Sequence, residues 1–139
     1  MTRPLLICFT LLALSACASE PAVDVRILTP EEGALLSGDS VVVTLSATGI
    51  DIVPADGLAT PGRAHHHLLL DAPLPAAGSP VPVDQPGVVH LGTGDSTLTL
   101  TNVTPGEHTL IAVLALGNHV PLDPWAVDTV RFALAPPEE

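Results

Sequence analysis

The chain reads as an all-β protein, an immunoglobulin-like antiparallel β-sandwich of about seven strands, and three features of the sequence predict this. Fifteen prolines divide it, and the longer proline-free stretches (residues 31–53, 62–72, 87–104, 106–120 and 125–135) hold the apolar runs. Proline cannot donate to a sheet ladder, so central strands are confined to such stretches. Within them apolar and polar residues alternate with a period of two, which puts successive side chains on opposite faces of a strand. No segment combines a sustained helical period with helix caps.

The first strand is expected at residues 23–28, where Val23, Val25 and Ile27 alternate with Asp24 and Arg26, and Thr29-Pro30-Glu31-Glu32-Gly33 ends it. The second, at 40–48, sets Val41, Val43, Leu45 and Ala47 on one face against Val42, Thr44, Ser46 and Thr48 on the other. A loop at 49–64, rich in Gly, Pro and Asp, delivers the chain to a third strand at 65–71. A proline-rich connection, 72–86, leads to a fourth at 87–91, which the turn Gly92-Thr93-Gly94-Asp95 closes. The fifth, 96–103, alternates Leu98 and Leu100 with Thr97, Thr99 and Thr101. Thr104-Pro105-Gly106 then turns into a sixth at 107–116, almost uninterruptedly apolar, as a central strand covered on both sides should be. The last, 126–134, alternates Val130, Phe132 and Leu134 with Thr129, Arg131 and Ala133. Seven short strands separated by turn signals form the pattern of a sandwich.

The N-terminus reads as an export signal. Arg3 precedes an apolar run that ends in Leu14-Ser15-Ala16-Cys17, a small-residue cleavage pattern with a cysteine behind it. The run is too short for a bilayer core of ~30 Å, which needs roughly 20 apolar residues. The quartet resembles a bacterial lipoprotein box, and that resemblance implies cleavage before Cys17 and lipid on its sulfur and amino group. Ala18, in place of the Asp that retains such proteins at the inner membrane, implies the periplasmic side of the outer membrane or the cell surface. A plain secretory signal ending by chance at a cysteine, or an uncleaved anchor, are the other readings. The expected organisation is a signal at 1–16, a lipidated tether at 17–22, one sandwich domain at 23–135 and an acidic tail at 136–139.

Cysteine and charge exclude several functions. Only Cys8 and Cys17 occur, so once the signal is removed no thiol remains for a disulfide, a zinc ribbon or a nucleophile. There is no lysine, and Arg26, Arg63 and Arg131 then face fifteen Asp and Glu. Such a chain repels nucleic-acid phosphates and attracts cations weakly. No Gly-x-Ser-x-Gly elbow and no phosphate-cradling glycine loop is present, and the protein is not expected to be an enzyme. Trp125, beside His119, is expected to lie over the end of the sandwich.

Six histidines stand out in a chain with two Phe, one Trp and no Tyr. In the expected topology the third and sixth strands are antiparallel neighbours, so His65–His67, at the start of one, and His119, just past the other, reach the same pole. The fourth strand returns from the far end and brings His90 there. Residues two apart on a strand share a side at ~6.6 Å separation, so His65 and His67 can aim at one point. His66 turns away with Leu68 and Leu70, to be packed or bonded to backbone. His108 begins the sixth strand at the far pole and reads as structural, a ring nitrogen bonding a nearby carbonyl. The candidate ligands are therefore His65, His67, His90 and His119, with Asp123 as a further carboxylate or as a partner for an imidazole N–H. Copper or zinc suits such a set, at distances near ~2.0 Å. The spacing is also compatible with a cluster that only packs and hydrogen-bonds.

Gly62, His65-His66-His67-Leu68-Leu69-Leu70-Asp71, Leu74-Pro75, Pro80-Val81-Pro82, His90-Leu91-Gly92, Gly106-Glu107-His108-Thr109-Leu110 and His119-Val120-Pro121 together resemble an exported bacterial family, domain of unknown function 4399, from about Gly62 to Leu134. The resemblance implies a small secreted or lipid-anchored β protein and no particular activity. Two positions depart from the pattern: Val88 stands where a further histidine is expected, and Leu122 stands where Pro-His-Asp-Pro often follows His119. If the family holds a metal, these departures imply fewer ligands here. Two functions remain open: a cell-envelope module that binds copper or zinc, and a non-catalytic interaction or scaffold module, its protein partner unidentified, whose histidines are structural.

Overall fold

Nine strands form among the described residues, 22–137 of this computed structural model: β1 (Asp24–Thr29), β2 (Ala34–Leu36), β3 (Val41–Thr48), β4 (Asp51–Ile52), β5 (Arg63–Leu70), β6 (Val88–Leu91), β7 (Thr97–Leu100), β8 (Gly106–Ala115) and β9 (Val127–Leu134). The signal at 1–16, Cys17 with most of the expected tether, and the end of the acidic tail lie outside the described residues.

The strands divide into the two layers of a sandwich. One sheet has the order β1-β3-β7, and the other runs β2-β9-β8-β5-β4 with β6 also paired to β5. Alternation sorts the side chains as expected. Val25, Ile27, Val41, Val43 and Leu45 of the smaller sheet meet Leu68, Leu110, Leu114, Val130 and Phe132 of the larger one in a single buried core. Each large aliphatic side chain so buried contributes ~1.5–3 kcal/mol, and this core is what fixes the register of the central strands.

Four differences from the sequence reading bear on the site. The strand holding the histidines begins at Arg63, two residues earlier than expected, because the 49–64 segment contributes its own short strand: β4 pairs in parallel with Arg63 and Ala64. Ala34–Leu36, too short to show alternation, adds to the far edge in parallel with β9. The fold is therefore antiparallel in its main ladders and parallel at these two edges. Finally, β6 joins the sheet of β5, placing His90 directly across from His67.

A second, smaller apolar cluster lies on the outer face of the larger sheet. Leu69, Val113 and Ala115 are buried there beneath Val81, which comes from the proline-rich 72–86 connection. That segment is tied down by a hydrogen bond from the Val81 N–H to the His119 carbonyl (2.9 Å). Strand β5 is thus covered on both sides, and its residues Ala64–Leu69 are all buried.

His108 lies on the inner side of β8, its ring against Phe132. Both ring nitrogens face acceptors: Nδ1 donates to Asp71 Oδ2 (2.7 Å) and Nε2 to the Thr104 carbonyl (2.7 Å). Asp71 sits in the left-handed region (φ 53°), and its other oxygen accepts from the Thr109 N–H (2.8 Å). Burial opposes the charged ring, but the Asp71 hydrogen bond, the Thr104 carbonyl and the Asp71 charge outweigh it and raise the His108 pKa. His108→Ala leaves two acceptors unpaired and should cost about 2–3 kcal/mol in urea unfolding at pH 6. A change under about 0.5 kcal/mol would show that the pair does not support the fold.

Candidate metal centre

Three separate backbone segments bring His65, His67, His90 and His119 together. One potential ligand atom from each lies within 4.8 Å of those of the other three. His65 and His67 reach the outer face of β5 because the pleat separates them from His66. His90 follows from the β5–β6 register.

His119 arrives by a hairpin beyond β8. The Ala115 and Pro121 backbones bridge, the His119 N–H donates to the Leu116 carbonyl (2.8 Å), and Leu116 N–H donates to Val120 (2.9 Å). In such a three-residue loop the last residue takes the left-handed conformation, normally given to glycine. Here it is His119, at φ 69°. A side chain in that region costs ~1–2 kcal/mol, so the backbone favours glycine at a position where the chain places an imidazole.

The cluster sits on the outer face of the larger sheet, not at the rim between the two sheets. The 72–86 segment crosses this face, and His65 and His67 are fully buried. His119 is half-buried, and His90 is the most exposed of the four. The structure does not bring Asp123 to this group. Leu122 packs on the inner core and the next residue turns outward, so Asp123 is exposed and lines a separate concavity of about 940 Å³ with Trp125, Pro121 and Ile50. His66, on the inner face, donates from Nδ1 to the Asp95 carbonyl (3.2 Å).

Two glycines and one strap carry the geometry, and the sequence reading assigned them no part in it. The backbone at 53–58 donates N–H groups from Val53 to Ala64 (2.9 Å), from Ala55 to Gly92 (2.9 Å) and from Gly57 to Gly117 (3.0 Å). It therefore ties together the chain beside His65, the turn after His90 and the hairpin before His119. A Cβ on Gly92 would overlap the His90 ring, and one on Gly117 would overlap the Asp56 carboxylate. The signal available in the sequence was the spacing: each glycine stands two residues from a clustered histidine, in His90-Leu91-Gly92 and Gly117-Asn118-His119.

The electrostatics keep the buried rings neutral. Burial, then the neighbouring imidazoles, push the His65 pKa down to about 4 and that of His67 to about 3. Burial and His119 lower His90. Neutral rings present lone pairs, so protons do not compete for them near neutral pH. His65 and His67 direct their Nε2 atoms at each other, 2.8 Å apart, which one proton shared between them satisfies. The Nδ1 atoms of His65, His67 and His119 are buried with no protein partner, as is Nε2 of His66 on the inner face. Each such atom costs ~1–3 kcal/mol, so the cluster destabilises the chain that carries it.

Fold and site together define an all-β sandwich with an imidazole cluster on one outer sheet face that could hold a metal ion. Residues 43–134 match the family described as domain of unknown function (DUF4399), and the chain belongs to it. No curated protein matches the chain. Among solved structures, an engineered protein is similar at 15% identity and a TM-score of 0.50, with 84% of this chain and 21% of that one covered. Two extracellular domains from B. thetaiotaomicron, described as those of a one component system and a hybrid two component system, are each 12% identical. Their TM-scores are 0.46 and 0.49, covering 78% and 85% of this chain and 12% and 16% of theirs. The chain spans about a fifth or less of these structures, and the likeness to the engineered protein shows the fold alone.

The depressed pKa values set a pH window for stability. An unfolded histidine titrates near 6.5, so between that pH and about 4 the unfolded chain takes up protons that folded His65 refuses, and the same holds down to about 3 for His67. The contribution of these two rings is therefore full above pH 6.5 and falls as the pH drops below it. Urea midpoints measured in metal-free buffer from pH 7.5 to 4.5 should decline, and the decline should be shallower when His65 and His67 are both replaced by Gln. An equal slope in the two proteins would contradict this assignment.

Proposed function

We propose that this protein is a cell-envelope module that holds a transition metal ion, copper or zinc, through His65, His67, His90 and His119, as a sink or carrier and not as an enzyme. One observation carries the reading: four imidazoles from three backbone segments offer nitrogens within 4.8 Å of one another, two of them on fully buried rings. Imidazole is the usual nitrogen ligand for these metals. An ion among the four rings would replace the proton between His65 and His67 and take the lone pairs of both Nε2 atoms.

The Leu14-Ser15-Ala16-Cys17 sequence supports export and lipid attachment at Cys17, with Ala18 favouring the outer membrane. Membrane contact would then be through lipid, and the acidic balance of the chain speaks against nucleic acid as a partner. A display module with purely structural histidines is supported by His66 and His108, each bonded to backbone. That reading gives no account of why four imidazoles from three segments converge within 4.8 Å.

Untagged protein should bind one equivalent of Cu(II) or Zn(II) in titration calorimetry. At a hundredfold excess over Kd, binding stabilises by ~2.7 kcal/mol, or roughly 10 °C in Tm. Replacing His67 and His119 together with Ala should abolish the shift. His119→Gly suits the left-handed backbone, so it should fold at least as stably without metal and still lose most of the shift. Metal-indifferent melting of the unmodified protein would refute the proposal.

A further inference from the structure

We infer that the site is shaped for closed, tetrahedral coordination of Zn(II) by four imidazole nitrogens, with no position left for water or a substrate. This rests on the metal-binding reading above and adds to it the geometry, and through the geometry the class of ion.

The six distances among the four rings carry the inference. A metal ~2.05 Å from a ring nitrogen lies ~3.2 Å from that ring's centroid, since the lone pair points along the line from centroid to nitrogen. Four rings around a tetrahedral ion therefore stand about 5.2 Å apart in every pair. Around a square-planar ion, four pairs stand about 4.5 Å apart and the two opposite pairs about 6.4 Å. The observed centroid separations are 4.6 Å (His65–His67), 4.9 Å (His65–His90), 5.1 Å (His65–His119), 5.0 Å (His67–His90), 5.4 Å (His67–His119) and 4.6 Å (His90–His119). No pair is long enough to be opposite in a square. Five of the six lie below the tetrahedral value and one above it. A modest shift of the nitrogens, now 2.8 Å apart in His65–His67 and within 4.8 Å across the set, would bring them to the ~3.3 Å spacing that ion needs.

The donor set and its fixing point the same way. Four neutral nitrogens without a carboxylate are poor ligands for Ca(II) or Mg(II), which take oxygen. Zn(II) has a filled d shell and takes the geometry it is offered, whereas Cu(II) and Ni(II) prefer tetragonal arrangements. Widening the cluster into a square would pull His65 and His67 off one strand face, or break the strap that ties the residues flanking His65, His90 and His119. Four protein ligands complete a tetrahedron, and catalytic zinc sites keep one position open. The ion is accordingly held and not used. His90, the exposed member, is the ligand that releases first, and it marks the side by which the ion enters.

The metal-free, untagged protein titrated with Co(II) and read by visible absorption tests this. One equivalent should give the intense d–d bands of tetrahedral cobalt, unchanged by azide and removed by one equivalent of Zn(II). His90→Ala should still fold, since the residue is exposed, but its cobalt spectrum should respond to azide and its metal should dissociate at least tenfold faster. Stoichiometric binding with the weak bands of six-coordinate cobalt, or an azide-sensitive spectrum in the unmodified protein, would overturn the tetrahedral inference and leave the metal-binding proposal standing. Failure of Co(II), Zn(II) and Cu(II) all to bind would overturn both.

Discussion

The site depends on the register of β5. Three adjacent histidines are divided by the pleat, His65 and His67 outward and His66 inward, and the ladders to β6 and β8 then decide what each meets. The same pairing that sets Leu68 and Leu114 in the core places His90 and Val113 on either side of His67. A slip of one residue would reverse every side chain of the strand, moving Leu68 to the outer face and His65 and His67 into the core between the sheets. The apolar core thus positions the imidazoles without touching them, and the outer face inherits its precision from the inner one.

Much of this was legible in the sequence. All seven anticipated strands form, because each carried enough alternating residues, between prolines, to show which face would be buried. The four histidines were legible as a set because two-residue spacing and the antiparallel neighbourhood of the third and sixth strands are both properties of pattern. The short parallel edges were not. Ala34–Leu36 and Asp51–Ile52 are two or three residues long, and their pairing is decided by partners distant in sequence. Placing the cluster at the rim followed from starting the strand at His65. With two more residues in the ladder and Val81 packed over it, the site becomes part of the sheet's outer face. Asp123 was favoured by its nearness to His119 along the chain, but the backbone turns it outward as Leu122 enters the core.

The cluster runs against stability in several independent ways. Buried rings are kept uncharged, three Nδ1 atoms lack partners, and His119 occupies a backbone conformation suited to glycine. His108 shows the contrast within the same chain: it too is buried, yet both its nitrogens are satisfied and its charge is supported by Asp71. The four on the outer face are destabilising as they stand, and the metal-binding proposal is that a cation among them offsets this.

Imidazole nitrogen NMR during a zinc titration of uniformly labelled protein tests that content most directly, because it reads each ring separately. The account predicts that one nitrogen in each of His65, His67, His90 and His119 moves to the metal-bound range, saturating together at one equivalent, while His66 and His108 stay unchanged. Zinc that leaves all six rings unmoved, or that shifts His66 or His108 in place of the four, would contradict it.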